Sequence, residues 1–360
     1  MVQPSRLDLN KPPRGFPLSC HASYPLVPLV RLIVIGLLAT MLQACESTRL
    51  GFTQIGGLPR PGVFAAFSLP DTASLKPSSD PGTDLRPFPK RGILYTKRAG
   101  FIDLAHVFNT AVLENDATSS IETALSQRHR VIQLLEFDDS RVTLTMEGAT
   151  LDSPQDVQSA ARAAGACVIY DLMTWHEIIT WFGYKSTYVW SEKPSAFTYE
   201  DTVSNLVGVD VFEAIPGDAT QQKLATSLRG VLDHLGLVDR QAASRAVRSV
   251  KGTWWRPMLY TRRMLEIGQN GAAIHPWLVP GTRDDLHDER GPVAFVDPCS
   301  KMPGSYSLRI VPSYWTIHRI RRSAPATPRV IDTTRDFDTL VDVIRREVKS
   351  QLGADATSPN

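Results

Sequence analysis

Apolar and polar positions alternate with two different periods along the chain, and the changes of period mark out its elements. "SSIETALSQRHRVIQLLEF" (119–137) repeats its apolar residues at helical spacing behind a serine start, with Glu122 placed as a cap partner, and predicts a helix. "RVTLTMEGATL" alternates Val142, Leu144 and Met146, the period of a half-buried strand. The longest helical run comes next, with Ser153 as cap, Pro154 at the first helical position and no break until about Trp181, near Gly183. "TYEDTVSNLVGVDVFEAI" predicts a further helix, with Thr198 as cap and Asp201 three residues on. "DATQQKLATSLRGVLDHLGL" is amphipathic and closed by Gly236, and "DRQAASRAVRSVKG" is a shorter helix closed by Gly252. Beyond "WWRPMLYTRRML" the pattern turns to strands in "GPVAFVDP", "YSLRIVPSY" and "RVIDTT". "DFDTLVDVIRREVKSQLG" closes the chain as a helix with a stripe of Phe337, Leu340, Val343 and Ile344. The predicted class is α+β: a mainly helical body around one long central helix, with a small β portion towards the C-terminus. No linker separates that portion from the helices, so it should pack on them.

The N-terminal pattern is of another kind. Arg31 precedes "LIVIGLLATML", an apolar run too short for a comfortable membrane span and right for the core of a secretory signal. "LQAC", Leu42 to Cys45, resembles the bacterial lipobox, which implies cleavage before Cys45 and diacylglyceryl and palmitate groups on it. Glu46 follows where aspartate is the usual inner-membrane retention signal, so the resemblance implies the outer membrane, facing the periplasm. The stretch before Arg31 is long and proline-rich, which places the expected start downstream of Met1. Residues 1–44 are therefore expected to be a signal peptide with an over-long start, and 45–90 a lipidated cysteine with a Pro/Gly/Ser-rich tether. Residues 91–352 should form a single mainly helical domain, and 353–360 a disordered tail.

Composition changes this picture little. Of 360 residues 42% are hydrophobic and 21% charged, with a formal net charge of +2, so charge points to no nucleic-acid partner. The expected partner is the membrane, through Cys45, with an envelope component beside it. Processing would leave Cys167 and Cys299, which either pair in an oxidising compartment or leave Cys167 as a small buried hydrophobe. Both readings stay open, and no Cys-x-x-Cys spacing exists.

Candidate chemistry centres on "WHEIITWFGY" (175–184), which begins like the zinc-protease motif His-Glu-x-x-His but carries Thr180 where the second histidine belongs. Threonine is a poor zinc ligand, so that motif fails. What remains is an imidazole and a carboxylate among aromatic residues, and a buried glutamate demands a partner or a cation. Glu177 and His176 are accordingly the candidate catalytic pair. "GFIDLAH" places Asp103 and His106 three apart, on one face if the stretch is helical, where they can share a metal or the aspartate can orient the histidine. "SAFTYEDTVSNLVG" supplies Glu200, with Asp201 and Asn205 as supporting residues. The expected metal ligands are His106, Asp103 and Glu200, with a divalent metal such as zinc as the candidate cofactor. There is no Gly-rich phosphate loop and no nucleophile elbow. "WTIHRIRR" is a basic patch, read as a solvated face with lipid headgroups or an anionic glycan as the alternative.

The three blocks "RAGFIDLAHV", "WHEIITWFGY" and "SEKPSAFTYEDTVSNLVGV" together resemble those of a family of proteobacterial lipoproteins built on a domain of unknown function. The likeness runs from about Gly92 into the C-terminal third and brings no established reaction. It implies that Asp103, His106, His176, Glu177, Glu200, Asp201 and Asn205 belong to the family pattern. The expected function is an envelope lipoprotein with a buried His/carboxylate site, acting as a metal-dependent or acid–base hydrolase on envelope material. The alternative is a non-enzymatic lipoprotein that binds a protein or small ligand, with Trp175, Trp181, Trp190, Trp254 and Trp255 in a surface serving binding as well as core and the polar cluster purely structural. An enzyme needs the polar groups beneath an open cleft, whereas a structural network is sealed.

Overall fold

The computed structural model describes residues 92–359, apart from 135, 186–190, 218, 257–258 and 282–284. The signal-like run, Cys45, the tether and Trp190 lie outside the described residues. The body opens on a hairpin of β1 (Ile93–Thr96) and β2 (Gly100–Asp103), in which Tyr95 faces Phe101 across the pair. Asp103 ends β2 and caps α1 (Leu104–Ser126), its Oδ1 accepting the Ala105 N–H at 2.8 Å. The helix thus begins one residue after Asp103 and some fifteen before the serine start that the pattern suggested. It also stops earlier than expected. Arg128 takes a φ of 61° and reverses the chain, so that Val131–Gln133 forms β3 against β4 (Ser140–Glu147) instead of extending the helix.

The long helix is α2 (Pro154–Trp181), and its start is the one the sequence specifies, with Ser153 and Asp156 making both halves of a capping box. It packs along α1, and α3 (Asp201–Glu213) packs against α1 and also meets α2. Two glycines permit these close approaches. A Cβ at Gly165 would lie 2.1 Å from Thr118 Oγ1, and one at Gly208 would lie 2.6 Å from Thr110 Cβ and 2.7 Å from the Val107 carbonyl. α4 (Gln221–His234) and α5 (Arg240–Ser249) close where predicted, at Gly236 (φ 73°) and before Gly252 (φ 92°). A two-strand ribbon of β5 (Trp255–Arg256) and β6 (Leu259–Tyr260) follows. "GPVAFVDP" forms no strand beyond a single bridge between Ile274 and Phe295, since Pro292 and Pro298 have no N–H to give a ladder.

β7 (Ser305–Pro312) pairs antiparallel with β4 along eight residues, and β8 (Ile331–Asp332) adds to its other edge, giving the order β3-β4-β7-β8. Between them runs α6 (Tyr314–Ser323), a helix whose period in the sequence is masked by its basic patch. α7 (Thr333–Leu352) buries Phe337, Leu340, Val341, Ile344 and Val348 against the sheet and α2. The sheet therefore shares one apolar cluster with α2, α7 and the second half of α1. A second cluster joins β1, β2, the first half of α1, α3, α4, α5 and the segment around Trp254 and Trp277. Mainly helical, with small antiparallel sheets: the α+β class holds.

Two expectations are corrected here. Trp175, Trp181, Trp254 and Trp255 are core residues, not a binding surface. The C-terminal residues are packed: Ala356 is buried, the Trp254 indole N–H donates to the Pro359 carbonyl, and Arg263 N–H donates to the Ala356 carbonyl. Cys167 on α2 is disulfide-bonded to Cys299 in the turn Pro298–Lys301, which resolves the open choice between paired and free thiols. Among the described residues no helix is long and apolar enough to cross a membrane.

Candidate metal centre

Three helix ends meet at the seam between the two apolar clusters. α1 contributes His106 in its first turn, α2 contributes Glu177 in its last, and α3 contributes Asp201 at its first position. The three side chains are 3%, 4% and 3% exposed, and ligand atoms of all three lie within 4.8 Å of one another. Gly208 sets this arrangement, because a side chain there would push α3 away from α1 and carry Asn205 and Asp201 off His106.

The hydrogen bonds fix the imidazole. His106 Nδ1 lies 3.1 Å from Asn205 Oδ1, which also accepts the Thr110 hydroxyl at 3.1 Å. An amide oxygen only accepts, so Nδ1 carries the proton and donates. Nε2 then faces Asp201 Oδ1 at 3.4 Å. In a neutral imidazole that atom presents a lone pair to a carboxylate oxygen, which is repulsive unless a proton or a cation lies between them.

The carboxylates are equally constrained. Glu177 Oε2 accepts the Phe197 N–H at 2.7 Å, and Phe197 holds a φ of 54°, a strained conformation for a bulky residue. The Phe197 carbonyl accepts the Met264 N–H, so the strained turn is pinned from both sides. Asp201 Oδ2 accepts the Thr198 N–H at 2.6 Å, so Thr198 contributes its backbone, and the helix begins at Asp201. Asp103, spent as the cap of α1, also gives its N–H to Ser204 Oγ, whose hydroxyl donates to the Glu200 carbonyl. Glu200 Oε2 is buried without a hydrogen-bond partner among the described residues.

Burial raises all four acids. It is the largest influence on Asp103 and Asp201, with His106 pulling both back, and it lifts Glu177 and Glu200 well above the ordinary range, with the Asp201 charge adding to both. Glu177 also sits at the negative end of α2, which disfavours its ionised form further. The basic side chains facing this group are His106 and Arg263. Arg263 is buried, with Nε and Nη1 lacking hydrogen-bond partners among the described residues and its guanidinium near the Trp181 and Tyr260 rings. Burial lowers its pKa, and the Tyr260, Asp201, Glu200 and Glu177 groups oppose that. With His106 a neutral imidazole, four acids face the single guanidinium of Arg263 among the described residues, and further positive charge, or protons on the acids, is needed for balance.

His176 is placed elsewhere. Adjacent helical positions diverge by about 100°, and its ring turns away from the Glu177 group to meet Asp138, Nδ1 to Oδ2 at 2.7 Å. Tyr184 donates to the other Asp138 oxygen at 3.3 Å. Burial lowers the His176 pKa, and Asp138, by charge and hydrogen bond, more than restores it, so the net shift is upward. The structure brings together His106, Glu177 and Asp201 as potential ligands, with Asn205 orienting the histidine and Asp103 and Glu200 around them.

Sequence reasoning missed Arg263, Asp138 and Glu114. Arg263 lies in "YTRRM" beside an ordinary Arg262, and no local pattern separates the two. Asp138 sits in a two-residue turn with φ of 45°, where an acidic residue is unremarkable. Glu114, further along α1, is wholly buried with neither carboxylate oxygen hydrogen-bonded among the described residues, and burial pushes its pKa well up. A glutamate on a helix gives no hint of that.

No curated protein and no solved structure matches the chain. Residues 87–262, which contain the whole of the His106, Glu177 and Asp201 group, match a family model described as Protein of unknown function (DUF4056).

Proposed function

We propose that this chain is an envelope lipoprotein whose body holds a divalent cation between His106, Glu177 and Asp201. The carrying observation is the approach of His106 Nε2 to Asp201 Oδ1 at 3.4 Å, with Nδ1 already committed to Asn205. A cation seated there converts two opposed lone pairs into ligands and offsets charge on the buried carboxylates. One imidazole and two carboxylates suit zinc or manganese and leave coordination positions for water. Such a cation would lower the pKa of its water, so hydrolysis of envelope material, peptidoglycan or lipid, is the reaction class. Glu200, buried with an oxygen that has no hydrogen-bond partner among the described residues, is a spare carboxylate beside this group that could take up a proton.

Two observations support the address. The apolar run ending in "LQAC" fits a lipidated Cys45 and outer-membrane anchoring, and the Cys167–Cys299 disulfide fits an oxidising compartment such as the periplasm. Burial favours a second reading. His106, Glu177 and Asp201 are all at most 4% exposed, as a purely structural network would be.

Elemental analysis of the full chain, purified without chelator or an affinity metal, separates the readings. Zinc or manganese at one per chain, lost in Asp201→Asn, is the expected result. A metal-free protein that gains none on dialysis against either ion leaves the structural network. The address is tested by Cys45→Ser, which should abolish acyl labelling and leave the precursor uncleaved.

A further inference from the structure

Among the described residues, α6 presents an outer face unlike that of the other helices. At about 100° per residue, Thr316, Ile317 and Ile320 point inward and are buried. Tyr314, Trp315, His318, Arg319 and Arg322 fall on the opposite arc. Tyr314 is 71% exposed and Trp315 68%, large values for aromatic side chains. Their rings meet edge to face at 5.3 Å, and the His318 ring stacks on Tyr314 at 6.1 Å, so the aromatic group is ordered without being covered.

Charge singles out the same place. Residues 298–331 contain six basic residues, Lys301, Arg309, Arg319, Arg321, Arg322 and Arg329, and no Asp or Glu. With the whole chain at +2, this stretch at +6 leaves −4 for the remainder. Arg319, Arg321, Arg322 and Arg329 form no ion pair among the described residues, and Arg321 is tied only to the Thr327 carbonyl. An exposed Tyr–Trp pair backed by unpaired arginines on an amphipathic helix matches the chemistry of an anionic lipid interface. The indole and phenol rings settle at headgroup depth, and the guanidinium groups meet phosphates.

We propose that the outer face of α6 is a second membrane contact, docking the body on an anionic phospholipid surface independently of any lipid at Cys45. Tyr314 and Trp315 would enter the headgroup layer, while Arg319 and Arg322 bind its phosphates. The consequence is orientational: an anchor at Cys45 alone fixes one point of the chain, and α6 would hold one face of the body against the leaflet.

The test uses the full chain with vesicles of phosphatidylglycerol or of phosphatidylcholine, each with bromine-labelled acyl chains near the interface. Quenching of tryptophan emission is expected with phosphatidylglycerol and not with phosphatidylcholine, and Trp315→Phe should remove it. Arg319→Gln and Arg322→Gln should each weaken the contact by about fivefold, and salt should screen it. Trp315 and Arg322 are exposed and Arg319 is half-buried, so circular dichroism should show the variants folded. Flotation with phosphatidylcholine vesicles reads the anchor, and quenching with phosphatidylglycerol reads α6, so the lipoprotein reading and this one fail separately. Equal quenching in both lipids, quenching that survives Trp315→Phe, or sedimentation with peptidoglycan sacculi in place of anionic vesicles would overturn the proposal.

Discussion

Glu177→Gln is the sharpest probe of the helix-end cluster, because it removes a charge and almost no volume. The glutamine amide oxygen can still accept the Phe197 N–H that Glu177 Oε2 accepts at 2.7 Å, so the strained turn keeps its support. Without a cation, the wild-type carboxyl is held neutral by burial or is ionised at a cost, and the amide avoids that cost. The metal-free variant should therefore melt no lower than the metal-free wild type. With a cation the sign reverses. A ligand at a thousand times its Kd stabilises by about 4 kcal/mol. For a body of roughly 270 residues the unfolding entropy is about 0.6 kcal/mol/K, which turns this into a rise of about 7 °C. If loss of the carboxylate weakens binding by about a hundredfold, roughly 1.4 kcal/mol and some 2–3 °C should remain. Melting curves of both proteins, first with chelator and then with zinc or manganese, read these differences directly. Binding should strengthen with rising pH, since Glu177 and Asp201, whose pKa values burial raises, must be ionised to ligate. A wild type whose melting temperature ignores both ions, beside a Glu177→Gln protein at least as stable, would refute the cation and leave a sealed structural network.

Further outcomes follow from other parts of the fold. Burial, reinforced by Asp297 and Asp332, raises the Asp171 pKa to about 7. A folded-state pKa above the unfolded value gives stability that is present below about pH 4 and lost by about pH 7, a change of about 4 kcal/mol by linkage. Asp171→Asn should flatten that decline in denaturant titrations across the same range, and an unchanged profile would contradict it. Gly208→Ala would set a Cβ 2.6 Å from Thr110, so urea titration should show a loss of about 1–3 kcal/mol and a weakened His106–Asn205 contact. Cys299→Ser opens a loop spanning 132 positions and should cost up to about 5 kcal/mol on the chain-entropy estimate, seen as a lower denaturation midpoint than the oxidised wild type.

Where structure depends on neighbouring residues, the sequence was legible. The capping box at Ser153, the run to Trp181, the Gly236 and Gly252 stops and the alternation of Val142, Leu144 and Met146 are local signals, and each corresponds to an observed element. The energetic case for Glu177 was also local in origin, since a carboxylate among Tyr170, Trp181 and Tyr184 must find compensation whatever the fold. Its partners were not local. Which acid meets His106 depends on how closely α3 approaches α1, and that is set by the absence of a side chain at Gly208. The period of α2 separates His176 from Glu177, but only the turn at Asp138, brought in by the β3–β4 hairpin, decides where the histidine goes. The pairing of Cys167 with Cys299, the burial of Arg263 and the packing of the last residues on Trp254 likewise join positions far apart in the chain. Caps and periods act within a few residues and are written in order along the chain, whereas charge compensation and close packing act across space and are fixed only when the helices meet.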